Sequence, residues 1–115
     1  MVEAIDPDEL PALREAAEVC CIDVRPPDDF ERGHLPDSEN VPLAAIPAHS
    51  DRLAERDPDR IVTVCAHGIA SQQAARLLAA HEGIPGDRVV NLTGGIDAYD
   101  GPLAGTVEGA IGNQE

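Results

Sequence analysis

Apolar residues along this chain fall into two kinds of spacing. Three short unbroken runs, VCCIDV from Val19 to Val24, RIVTV from Arg60 to Val64 and RVVNL from Arg88 to Leu92, are rich in β-branched side chains. Runs of this length and make-up fit strands buried on both faces. The segments between them carry helical signals instead. In IDPDELPALREAAE, Asp6 stands at a cap, Pro7 suits the first helical position and Glu9 the partner position of a capping box, so a helix is predicted over about 7–17. Pro26 and Pro27 end the first run. A helical turn from Asp28 to Arg32, a stop at Gly33 and a short extended piece from Glu39 to Val41 follow. LAAIPAHSDRLAER reads as one helix or two short ones, with Pro47 allowed only near a start or a kink. Ser71 to His81 reads as a helix whose inner face gathers Ala74, Ala75, Leu77 and Leu78, closed by Gly83, Pro85 and Gly86. TGGIDAYDGPL supplies a glycine turn and a short helix after the last run.

Strands alternating with helices at these distances indicate an α/β domain around a parallel sheet. The 115 residues suffice for one domain, placed at 1–103. From Ala104 onward AGTVEGAIGNQE is glycine-rich and aperiodic, and a flexible tail is expected over 104–115. No internal repeat is visible.

Composition changes the picture in two ways. The apolar fraction of 43% contains one Phe, one Tyr and no Trp, so the core must be built from small side chains. Twenty-two acidic residues stand against eight basic ones, all of them Arg, for a formal net charge of −14. Such a surface repels nucleic acid and anionic membranes, which excludes both as partners. Its self-repulsion fades at ~1 M salt, where the Debye length is about 3 Å, and the excess of acid without lysine suggests a salt-rich medium, that of a halophile. An ordinary acidic surface is the plainer alternative.

The cysteines are Cys20, Cys21 and Cys65. Their odd number, with no basic and apolar leader in MVEAIDPDEL and no apolar span, points to reduced thiols in the cytoplasm. Cys20 and Cys21 lie within a strand pattern and read as core. Cys65 closes a strand and is followed by a small-residue loop and a helix, where backbone N–H groups converge. That field favours a thiolate and hence a nucleophile; a small buried residue is the other reading of a lone cysteine. No pair of cysteines or histidines has zinc spacing, so no metal is expected.

Three segments together carry a resemblance. IDVRPPDDFERGHLPDSENVPL, VTVCAHGIAS and VVNLTGGIDAY, in this order across Ile22 to Tyr99, resemble the motifs of the rhodanese superfamily of sulfurtransferases in its single-domain form. The resemblance implies a three-layer α/β/α rhodanese fold and a thiosulfate sulfurtransferase needing no cofactor. Cys65 would take a sulfane sulfur from thiosulfate or a persulfide, hold it as a persulfide and pass it to a thiol or cyanide acceptor, or to a sulfur-relay protein. The loop Ala66, His67, Gly68, Ile69, Ala70 and Ser71 would bind the anion through its N–H groups. Asp23, Arg25 and His34 are candidate supporting residues. Asp23 belongs either near the loop mouth or to a structural ion pair, Arg25 reads as structural, and His34 as bonding backbone in a turn. Gly94 and Gly95 should let a turn pass close to the loop.

Two positions depart from the family pattern. Many members carry an arginine where this chain has Ala70, which predicts weak thiosulfate binding; His67 offers a charge only when protonated. Tyr99 stands where Trp is usual. These departures keep a second reading open, a non-catalytic rhodanese module that binds a partner or senses a sulfur species. A phosphatase or arsenate reductase of the same fold is the third. It would need an arginine six positions after the cysteine, where this chain has Ser71.

Overall fold

The computed structural model describes residues 2–105. Strands β1 (Glu3–Ile5), β2 (Val19–Asp23), β3 (Ser38–Asn40), β4 (Arg60–Val64) and β5 (Val89–Leu92) form one parallel sheet in the order β1-β5-β4-β2-β3. Parallel neighbours need crossovers. Helices α1 (Leu10–Ala16), α2 (Pro27–Arg32), α3 (Ile46–Arg56) and α4 (Ala70–Ala79) lie in the connections and flank the sheet. The three apolar runs are its three inner strands, with β4 at the centre.

Because successive side chains of a strand point to opposite faces, each run feeds two cores. Ile22, Ile61 and Val89 pack with Leu53 of α3 and with Ala74, Ala75 and Leu78 of α4. Cys21, Val62, Val64, Val90 and Leu92 pack with Leu10 of α1. Among the described residues the largest fully buried side chains are Leu, Ile and Val, so the core is aliphatic. Each such side chain contributes about 1.5–3 kcal/mol by leaving water.

The local signals act where they were read. The Asp6 N–H donates to Glu9 Oε1 at 2.8 Å, opening a 3-10 turn (Pro7–Glu9) that runs into α1. Pro47 sits in the first turn of α3, after a 3-10 lead-in (Leu43–Ala45), so the segment is one helix.

Two expectations change, and one strand is added. Leu77 is 39% exposed, because Ser71, Ala74, Ala75 and Leu78 already complete an i, i+3, i+4, i+7 stripe and Leu77 falls beside it. β1, too short for a visible pattern, is added at the edge by pairing with β5, Glu3 against Val90 and Ile5 against Leu92. The expected loose tail does not begin at Ala104: Ala104 and His34 each donate a backbone N–H to the other's carbonyl at 2.8 Å. Residues 106–115 of that tail lie outside the described residues.

Candidate active site

β4 ends at Val64, and the loop from Cys65 to Ile69 leads directly into α4. The loop is held from below and from the side. The Ile96 N–H donates to the Cys65 carbonyl and the Asp97 N–H to that of Ala66, both at 2.9 Å, which ties the loop to the 3-10 turn Gly95–Ala98. Gly95 has φ 63°, and a Cβ there would overlap the Cys65 carbonyl oxygen, so only glycine lets the two turns touch. Gly68 has φ 87°, and a Cβ on it would come within 2.7 Å of the Gly94 nitrogen.

The loop's curl brings two backbone donors onto one sulfur. Cys65 Sγ accepts from the Gly68 N–H at 3.1 Å and from the Ser71 N–H at 3.3 Å, the latter one of the unpaired N–H groups in the first turn of α4. The Ser71 hydroxyl is buried without a hydrogen-bond partner of ordinary geometry, and it lies beside the same sulfur. Burial is the largest single influence on this thiol and pushes its pKa up. The Ser71 hydroxyl and the N–H groups of Ser71, His67 and Gly68 together outweigh it, so Cys65 ionises below the ordinary range of a thiol.

The other two cysteines are the control. Burial raises both Cys20 and Cys21, and the nearby guanidinium of Arg56 in one case and Arg14 in the other does not reverse it. Adjacent in β2, the two point to opposite faces, as core residues of a strand do.

Two residues of the site escaped the sequence reading. Inside β4 and β5, Thr63 and Asn91 are buried and paired in register. The Thr63 hydroxyl donates to Asn91 Oδ1 at 3.0 Å, and Asn91 Nδ2 donates to the Gly68 carbonyl at 3.0 Å. This chain of bonds runs from the sheet to the underside of the loop. The available signal was a polar residue inside each of two apolar runs, since buried polar groups are almost always bonded.

The supporting candidates separate. Arg25 grips the buried Asp23 carboxylate through Nε at 3.0 Å and Nη2 at 2.8 Å, and Nη2 also donates to the Gly33 carbonyl at 2.7 Å. Asn40 Nδ2 donates to the carbonyls of Asp23 and Arg25 at 3.1 and 2.9 Å. The pair therefore clips β2 to the chain that follows it. Arg25 still lines the cavity at Cys65, whereas Asp23 and His34 do not. His34 stacks on Phe30 with ring centroids 3.7 Å apart, and its Nδ1 bonds the Phe30 carbonyl at 2.7 Å.

That cavity measures about 380 Å³ and is lined mostly by the apolar Val24, Pro26, Ala66, Ile69 and Ala70, together with His67 and Asp29. Clefts of about 470 and 460 Å³, at Asp6 and Tyr99 and at His49 and Arg56, hold no cysteine. Among the described residues no group of three or more His, Cys, Asp or Glu stands close enough to hold a metal ion, and no helix is long and apolar enough to cross a membrane.

Known proteins resemble this chain in sequence and in fold. The chain is 43% identical over 75 residues to thiosulfate sulfurtransferase GlpE of Pseudomonas syringae pv. syringae, covering 64% of this chain and 67% of that one. It is 36% identical over 101 residues to a sulfurtransferase of Allochromatium vinosum, covering 86% and 89%. An HTH-type transcriptional regulator of Mycobacterium tuberculosis is 41% identical over 78 residues, 65% of this chain but 33% of that protein, so the chain spans a third of that relative's length. A rhodanese-like domain protein of Staphylococcus aureus superposes with a TM-score of 0.73 at 30% identity, covering 91% of this chain and 99% of that one. The As-Sb reductase of Leishmania major superposes with a TM-score of 0.73 at 20% identity over the full length of both chains, a likeness of fold alone. The family pattern described as Rhodanese-like domain matches residues 6–101, which takes in the cysteine loop, the buried pair beneath it and the glycine turn against it. The chain belongs to the rhodanese-like domain family.

Proposed function

We propose that this protein is a sulfurtransferase in which Cys65 cycles between thiolate and persulfide. The observation that carries the reading is the Cys65 sulfur, ionising below the ordinary range while two backbone N–H groups point at it. A thiolate held this way attacks the outer sulfur of a donor. With thiosulfate, a new S–S bond forms at Cys65, the donor's S–S bond breaks, and sulfite leaves with the bonding pair. The charge moves to the outer sulfur of the persulfide, one bond further into the loop, where the N–H groups of the 66–71 segment receive it. Attack by a thiol or cyanide on that sulfur returns the thiolate. Every step is a nucleophilic displacement at a sulfur atom, with one bond to that sulfur formed and one S–S bond broken, so no cofactor enters the balance. The relatives named as sulfurtransferases support the same class of reaction.

An idle binding module has no use for an activated thiol. A phosphatase or arsenate reductase of this fold lacks its clamp here, since Ser71 stands six positions after Cys65 and turns its N–H to the sulfur instead of offering a guanidinium to an oxyanion. A reducing cytoplasm keeps such a thiol available, and the charge of −14 suits a salt-rich one.

Intact-protein mass spectrometry of wild type beside Cys65→Ser, after incubation with a sulfane-sulfur donor in molar potassium chloride, tests this directly. Gain of one sulfur by wild type alone, removed by cyanide as thiocyanate appears, is the expected result. Failure of wild type to gain sulfur from thiosulfate and from organic persulfides alike would leave the binding module as the reading.

A further inference from the structure

We propose that the donor this site takes is an organic persulfide, R–S–SH, with an uncharged apolar R, and not a small polyanion such as thiosulfate. The inference rests on the sulfurtransferase reading of Cys65 and names its substrate class.

The first observation is the wall of the cavity. Above the sulfur it is made of Val24, Pro26, Ala66, Ile69 and Ala70. Ile69 is 74% exposed, one of two large apolar side chains held out in water among the described residues. It closes the loop at the start of α4, four residues after Cys65. An alkyl chain lying against this wall covers Ile69 and displaces water from an otherwise bare apolar surface.

The second observation is charge. Arg25, the cation on the wall, already serves the Asp23 carboxylate and the Gly33 carbonyl. The lining also includes the Asp29 carboxylate, bonded to Arg32 at 3.0 Å, and His67, which lies 3.9 Å from the Asp97 carboxylate. None of these is an uncompensated positive charge. Thiosulfate brings two negative charges to a thiolate, so the reacting group would carry −3 with only backbone dipoles to hold it. A persulfide attacked in its protonated form keeps the total at −1 throughout, which matches a pair of N–H groups on one sulfur.

The step balances without an oxidant. Cys65 thiolate attacks the terminal sulfur of R–S–SH, the S–S bond of the donor breaks, and R–S⁻ departs. The proton then passes from the new Cys65 persulfide, the stronger acid, to R–S⁻, leaving Cys65–S–S⁻ and R–SH.

Single-turnover loading of Cys65, followed by intact mass, compares methyl persulfide, butyl persulfide and thiosulfate on wild type, Ile69→Ser and Ala70→Arg. The methyl-to-butyl comparison cancels the intrinsic reactivity of the persulfide group. Each buried methylene is worth about fourfold, so butyl persulfide should load wild type at least about tenfold faster than methyl, and Ile69→Ser should pull that ratio toward one. Ala70→Arg should raise thiosulfate loading by about tenfold or more. A butyl-to-methyl ratio near one in wild type, or thiosulfate loading wild type as fast as butyl persulfide, overturns the substrate class while leaving sulfur transfer standing. Absence of loading by all three donors overturns both.

Discussion

The side-chain amide of Asn91 donates to the carbonyl of Gly68, and two backbone bonds before that carbonyl the N–H of the same glycine donates to the Cys65 sulfur. One buried residue in β5 thus sets the orientation of a peptide unit whose neighbour faces the Cys65 sulfur. Thr63 fixes which end of the amide points upward, because its hydroxyl takes Oδ1.

Asn91→Ala should raise the pH midpoint of Cys65 alkylation by iodoacetamide, since the Gly68 peptide loses its anchor and the sulfur a well-aimed donor. It should also cost about 1–3 kcal/mol of stability through the unpaired Gly68 carbonyl. A loss of stability with an unmoved midpoint would make Asn91 a core residue only.

Ser71→Ala separates the two effects. The hydroxyl has no ordinary partner to lose, so at a pH low enough to keep Cys65 protonated urea unfolding should move by less than about 0.5 kcal/mol. The alkylation midpoint should still rise, because that hydroxyl is the strongest of the influences lowering the Cys65 pKa.

Stability should depend on pH through the same thiol. The folded-state pKa of Cys65 lies below the unfolded value of about 8.5, so its contribution is full above that value and is lost as the pH falls through the folded-state pKa. The unfolding free energy of wild type minus that of Cys65→Ser should therefore grow as the pH rises from mildly acidic to about 8.5. Subtraction cancels Cys20 and Cys21, whose raised values act in the opposite direction. A flat difference would mean that the loop does not activate the sulfur.

Asp23→Ala leaves the Arg25 guanidinium, 11% exposed, without its carboxylate. Breaking such a pair should cost about 3–5 kcal/mol in denaturant unfolding. A cost under about 1 kcal/mol would show that solvent reaches the guanidinium and screens the pair.

Salt should stabilise the whole domain. With −14 net charge and no lysine, the urea midpoint should rise between about 0.05 M and 2 M potassium chloride as repulsion is screened. An unchanged midpoint would remove the case for a salt-rich medium.

Much of this protein was legible along the chain because its signals are local. VCCIDV, RIVTV and RVVNL declare buried strands by composition, and β2, β4 and β5 follow them within a residue. Cys65 stands at a strand end, and the small loop and helix behind it are properties of consecutive residues. Other features depend on partners distant in sequence, and no local pattern encodes a partner. β1 is a strand because β5 leaves an open edge beside it. Leu77 faces outward because Ser71 completes the inner stripe of α4. Ala104 is held by His34, seventy residues earlier in the chain, through backbone groups that any residue carries. Asn91 and Thr63 could be recognised in sequence as polar residues in apolar runs. Only folding, by bringing β4 and β5 into register under the loop, decided that they would aim at Gly68 and so at the sulfur.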